Sequence, residues 1–255
     1  MGIINVTPDS FSDGGRHFDA GAAIGCGEAM VRDGADILDI GGESTRPGAT
    51  ALSVAEEQAR ILPVIEALRG TGVPISVDTR NAATMAAALD AGASIVNDVS
   101  ALQHDPAAAA LVARRGCPVI LMHMRGVPET MGRLAQYQDV AVDVARELGE
   151  RVAAAEAAGI RRENIATDPG IGFAKHGHQN VELLQGLANL RALGCPIVVG
   201  VSRKRFIGAL TGPGERDSAS LAAGLYALGQ GATILRVHDV AMTVRAVRVW
   251  HTLAA

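Results

Sequence analysis

Apolar residues occur in two alternating patterns along this chain. Short unbroken runs, rich in Val, Ile and Leu, fall at 2–6, 36–40, 74–78, 94–98, 118–123, 164–168, 197–201 and 233–238. Such runs predict strands buried on both faces, as in parallel sheets. The run at 197–201 is broken only by Gly200 and opens at once into Ser202, Arg203, Lys204 and Arg205, with Ser202 read as the cap of the next helix. Between the runs, apolar positions recur at helical spacing. Residues 20–34 place Ile24, Met30 and Val31 inward, and Ser53 with Glu56 forms a capping-box pattern for a helix reaching 69. Further helices are predicted up to 91, from Pro106, up to about 158, after 173 and up to about 253. Strand starts lie on average 33 residues apart, one βα unit each time. Eight such units predict an α/β fold, a single (β/α)8 TIM barrel over residues 1–255, with an open doubly wound sheet as the rival.

Composition narrows the chemistry. Apolar residues make up 48% and aromatics 3%, beside 30 glycines, which suggests tight layers of Ala, Val, Leu and Ile joined by many turns. A net charge of −4 and pI near 6.0 favour neither nucleic acid nor an anionic membrane. Cys26, Cys117 and Cys195 form no CxxC pair and read as small buried hydrophobes in a reducing compartment. No charge-free apolar run reaches 18 residues, and the amino terminus has neither a basic secretory region nor a myristoylation pattern. A cytoplasmic location is expected.

The strand ends carry polar groups throughout: Asn5, Asp39, Asp78, Asn97 with Asp98, His123, Asp168, Lys204, and Arg236 with His238. In α/β barrels this is the end that binds ligands. Asp78, Asn97 and Asp168 can pair with a flat heterocycle bearing amide and amino groups. Asn5, Thr45, Arg46, Arg236 and His238 suit an oxyanion such as phosphate, and Asn5 with Asp13 suits a hard divalent cation. Structural readings stand beside these: Asp39 bracing the mouth loops, Asp98 capping its loop, and His123 as a satisfied pocket-wall histidine. His176 and His178 read as ordinary loop residues. Gly170 and Gly172 lack the third glycine of a dinucleotide fingerprint, and no nucleophile-elbow, HExxH or Walker pattern occurs.

GIINVTPDSFSDGG, DIGGESTRPGA, ISVDT, NDV, MHMRG, DPGIGF, SRKRFIG and RVHDV occur in that order, and the chain resembles the dihydropteroate synthase family over nearly its whole length. The resemblance implies condensation of 6-hydroxymethyl-7,8-dihydropterin pyrophosphate with p-aminobenzoate, with Mg²⁺ as cofactor, in a barrel that is usually a homodimer and is inhibited by sulfonamides. It implies that Asp78, Asn97, Asp168 and Lys204 hold the pterin, with Met122 and Phe173 lining its pocket. Asn5 and Asp13 would address Mg²⁺, and Thr45, Arg46, Arg236 and His238 the pyrophosphate. Phe11 and Pro47 would wall the p-aminobenzoate site, with its carboxylate at Arg205. The chain departs from the family pattern in two places. Ala174 stands where many members have Gly, expected to be harmless. Met1 abuts the first strand, where the family has a lead-in segment that would help close the barrel floor.

The chemistry of the residues agrees. Displacing pyrophosphate from an exocyclic CH₂ needs negative charge stabilised on the leaving group and positive charge on the carbon. Asp78 suits the second task; Lys204, Arg236 and His238 complete the expected catalytic set. No residue resembles an activated nucleophile, and an aniline nitrogen held in line needs none. Two other classes remain: a pterin-binding methyltransferase, with little use for Thr45, Arg46, Arg236 and His238, and a silent pterin-binding paralogue, which would have lost one of Asn5, Asp78, Lys204 or His238.

Overall fold

The short apolar runs form eight strands among the residues described in this computed structural model, 1–7, 20–43, 52–127 and 130–254. The order is β1 (Gly2–Asn5), α1 (Ala20–Arg32), β2 (Leu38–Gly41), α2 (Val54–Leu68), β3 (Ile75–Asp78), α3 (Ala82–Ala91), β4 (Ile95–Asp98) and α4 (Ala108–Arg115). It continues β5 (Val119–Met122), α5 (Val140–Ala157), β6 (Ile165–Asp168), α6 (Gly177–Gln185), β7 (Val198–Val199), α7 (Arg205–Thr211), α8 (Asp217–Gly229), β8 (Ile234–Leu235) and α9 (Val240–Ala254). Strands β1 to β6 pair in sequence order and in parallel, and β7 pairs with β8. Single parallel bridges join the two seams, Thr167 to Ile197 and Gly2 to Val237. At these seams the Thr167 N–H donates to Pro196 O, and the Ile3 N–H to Val237 O, both at 2.9 Å. The ring of eight parallel strands is therefore closed, as a (β/α)8 barrel requires.

The period of two along each strand sorts the side chains. Ile4, Leu38, Ile40, Ile75, Val77, Val96, Val119 and Leu121 face outward, into one core with Met30, Ile61, Leu68, Met85 and Leu111 of the surrounding helices. Each of the fully buried ones contributes about 1.5–3 kcal/mol by leaving water. Inside the ring, Met1, Ile120 and Val198 pack with Ile37, Ile95, Ala166 and Ile234 to make an apolar floor. Two residues further along the same inner rows stand Asp39, Asn97, Met122, Asp168 and Arg236. The floor is apolar and the mouth is polar.

Three local expectations are corrected. β7 and β8 keep only two residues each, rather than the predicted 197–201 and 233–238. After β7, Arg203 turns in the left-handed region at φ 58°, with its N–H on the Ser220 hydroxyl at 2.9 Å. That turn also moves the start of α7, whose cap position is Lys204 and not Ser202. Pro106 does not open α4; Asp105 precedes it and receives the N–H groups of Ala107 and Ala82, both at 2.9 Å. The capping box of Ser53 and Glu56 forms as expected.

Candidate active site

The inner rows of β2, β3, β4 and β8 bring four side chains together at the mouth. Asp39, fully buried, accepts from Arg236 Nε at 2.5 Å and from Asn97 Nδ2 at 3.3 and 3.2 Å. Arg236 Nη2 donates to Asp78 Oδ2 at 2.7 Å. One guanidinium thus spans two carboxylates whose strands are neighbours, and one of those carboxylates also orients Asn97. Burial pushes the Asp78 carboxyl up to about 7, against the pull of Arg236 and with help from Asp39. Burial works against the charge on Arg236, but Asp39 and Asp78 raise it above its ordinary value. Asp39 is therefore not a brace of the mouth loops; it is the seat of Arg236 and Asn97.

Across the ring, Asp168 ends β6 beside Met122 in register. Burial raises its carboxyl, and the Gly170 N–H at 2.7 Å opposes that, with Lys204, Arg236 and Lys175 acting through space. The turn that follows needs glycine at Gly170, whose φ is 67° and where a Cβ would lie 2.0 Å from His123 O. Phe173 is half-buried, and Lys204 Nζ stands 4.3 Å from its ring centre. An ammonium at that distance over a ring face is a cation–π contact. Ser202 Oγ lies 2.9 Å from His238 Nδ1 and also accepts the His238 N–H at 3.2 Å, which fixes the imidazole at the end of β8.

The remaining candidates divide clearly. Asn5 ends β1 opposite Gly41, and Arg205 is the exposed first residue of α7. Phe11, Asp13, Thr45, Arg46 and Pro47 lie outside the described residues. Asp98 takes the structural reading: its carboxylate receives the Ser100 N–H and hydroxyl at 2.7 Å and the Leu102 N–H at 3.0 Å. His123 is a satisfied wall histidine, between Glu147 at 2.9 Å and Lys175 at 3.0 Å, and burial pushes its imidazole down to about 4. His176 and His178 are exposed, and among the described residues no group of three or more His, Cys, Asp or Glu could hold a metal ion. Ala174, expected to be harmless, sits at φ 47° in the left-handed region that glycine tolerates best.

Sequence reasoning passed over Lys175, which is buried behind the turn with its ammonium pushed down to about 7 by burial. A lysine among glycines at a strand's carboxyl end was the available signal.

Known proteins resemble this chain throughout. Residues 1–238 match the family described as pterin binding enzyme. The dihydropteroate synthase of Escherichia coli is 48% identical over 98% of this chain and 89% of its own length. A probable bifunctional folylpolyglutamate synthase/dihydropteroate synthase of Haloferax volcanii is 51% identical over 98% of this chain, which spans 30% of that longer protein. The Xanthomonas albilineans dihydropteroate synthase, solved with 4-aminobenzoic acid, superposes with a TM-score of 0.93 at 50% identity, covering 100% of this chain and 92% of that one. With its closed barrel and its polar inner rows, the chain belongs to the dihydropteroate synthase family of pterin-binding enzymes.

Proposed function

We propose that this chain joins 6-hydroxymethyl-7,8-dihydropterin pyrophosphate to p-aminobenzoate, forming 7,8-dihydropteroate and releasing pyrophosphate. The carrying observation is the ring of Asp78, Asn97, Asp168 and Lys204 at the barrel mouth, in a chain about half identical to dihydropteroate synthases over nearly its whole length. Xanthomonas and Yersinia pestis relatives solved with 7,8-dihydropteroate and with a sulfonamide drug are consistent with that reading.

Asp168 and Asn97 supply the acceptors and donors for the pterin's amide edge, with Met122 and Phe173 as walls and Lys204 beside the ring. As the CH₂–O bond breaks, both electrons leave with the pyrophosphate oxygen, and the carbon becomes positive. The Asp78 carboxylate stabilises that carbon through the dihydropterin ring. Arg236 and His238, with Thr45 and Arg46, take the leaving group's charge; a guanidinium has five donors, and Asp39 and Asp78 use two. The amine nitrogen then forms the C–N bond and loses one proton to solvent. Phe11, Pro47 and Arg205 are the residues assigned to p-aminobenzoate. The amide oxygen of Asn5 is a donor that fits a hard divalent ion, with Asp13 as its assigned companion. Mg²⁺ bound there would lower the negative charge on the pyrophosphate. We extend the reading to a homodimer, which would cover the exposed Tyr226 of α8 and the exposed Val249 and Leu253 of α9.

Lys204→Ala tests the assignment. Turnover should be lost while the circular dichroism spectrum is retained. Near-normal kcat/KM with normal pterin pyrophosphate binding would overturn it.

A further inference from the structure

The chain contains two lysines, Lys175 and Lys204, against twenty-one arginines. Arginine thus supplies every other side-chain cation, and the ammonium is kept at two positions in one pocket. Lys204 stands over the Phe173 ring, and Lys175 donates to the carbonyl of that same Phe173 at 2.8 Å. Its other partners are Gly170 O at 3.1 Å and His123 Nδ1 at 3.0 Å. Three acceptors therefore surround a group with three donors, a match that a flat, five-donor guanidinium cannot make. Because Nδ1 of His123 accepts, its Nε2 carries the proton, and that N–H donates to Glu147 Oε2 at 2.9 Å. Glu147 is held in turn by Arg125 Nε at 3.0 Å.

The turn has further fixings. Asn180 Oδ1 accepts the Gly172 N–H at 2.6 Å, and its amide donates to His176 O at 2.7 Å. Tyr137 donates to Ala174 O at 2.9 Å. Lys175 differs from these in its place and its cost. Its ammonium is buried against the carbonyls of the turn, within electrostatic reach of Asp168, and an ammonium is expensive to bury there.

We propose that Lys175 is a positioning residue for the pterin pocket: it ties Gly170 and Phe173 to His123, and so fixes the Asp168 carboxylate and the Phe173–Lys204 wall. It touches no substrate and acts through those groups. This inference rests on the functional reading above.

Lys175→Met removes all three donors while keeping length and apolar bulk. KM for dihydropterin pyrophosphate should rise about tenfold or more, with KM for p-aminobenzoate within about threefold of wild type, because misplaced pocket walls weaken one substrate selectively. Leu68→Ala, at the end of α2 in the core that excludes the turn, supplies a control that loses stability away from the pocket, and both KM values should stay put. A Lys175→Met pterin KM within about twofold of wild type, or an equal rise in Leu68→Ala, overturns the proposal. If the Met variant does not fold, wild-type protein carrying ¹⁵N-lysine answers instead. It has two side-chain resonances, assigned by loss of one in Lys204→Ala. Dihydropterin pyrophosphate should shift the Lys175 resonance, and p-aminobenzoate alone should not; an unmoved resonance overturns the proposal. Wild-type protein that makes no dihydropteroate fails the functional reading itself, and is told apart from a Lys175→Met enzyme that simply works normally.

Discussion

Arg236 and Asp78, 158 residues apart in sequence, are bonded at 2.7 Å across the barrel mouth. The same guanidinium rests on Asp39 at 2.5 Å, so a substrate meets an arginine already aimed by a buried carboxylate. Asp39→Asn removes that charge and turns an amide donor toward the guanidinium. Breaking one partner of a buried pair costs about 3–5 kcal/mol. Urea unfolding should show most of that loss, and kcat/KM should fall with it. A variant of normal stability and normal kcat/KM would mean that Asp39 does not seat Arg236.

The Asp78 carboxyl, pushed up to about 7 by burial, makes the pH profile informative. Its cation-stabilising form is the carboxylate, which gains population as pH rises through that value. kcat/KM for the pterin substrate should therefore climb with pH through the neutral range and then level off. Asp78→Asn should remove both the climb and most of the turnover. A wild-type climb that persists unchanged in the Asn variant would assign the ionisation to another group.

Ala174 offers a test of stability without chemistry. At φ 47° a Cβ costs about 1–2 kcal/mol, and glycine returns part of that through its freedom in the unfolded chain. Ala174→Gly should raise the urea midpoint by a net gain of about 0.5–1 kcal/mol. A lowered midpoint would show that the turn depends on the methyl group.

Much of this site could be read from the sequence because barrel strands are short, apolar and evenly spaced. The polar residue ending each run faces the mouth, so Asp78, Asn97, Asp168 and Arg236 were all marked by position. What was hidden is pairing. Nothing local says that Arg236 lies on Asp39, since the two are 197 residues apart and meet only when the ring closes. From sequence alone Asp39 therefore reads two ways, and its pairing with Arg236 decides between them. Ser202 reads as a helix cap because serine is a favoured cap residue ahead of a helix; in the fold its hydroxyl meets His238 instead. Lys175 showed no period and no motif of its own, and its importance lies in carbonyls that only the folded turn presents.

In the proposed function these inner-row residues hold a pterin for condensation with an arylamine. The most direct measurement is dihydropteroate formation from both substrates by wild type and by Asp168→Asn. A carboxylate can accept from adjacent ring and amino N–H groups, whereas an amide turns one donor toward them, a loss of about 2–4 kcal/mol. Wild type should form dihydropteroate, and Asp168→Asn should show a pterin KM raised about 30-fold or more with p-aminobenzoate KM nearly unchanged. No product from wild type, or unaltered pterin affinity in Asp168→Asn, would contradict the account.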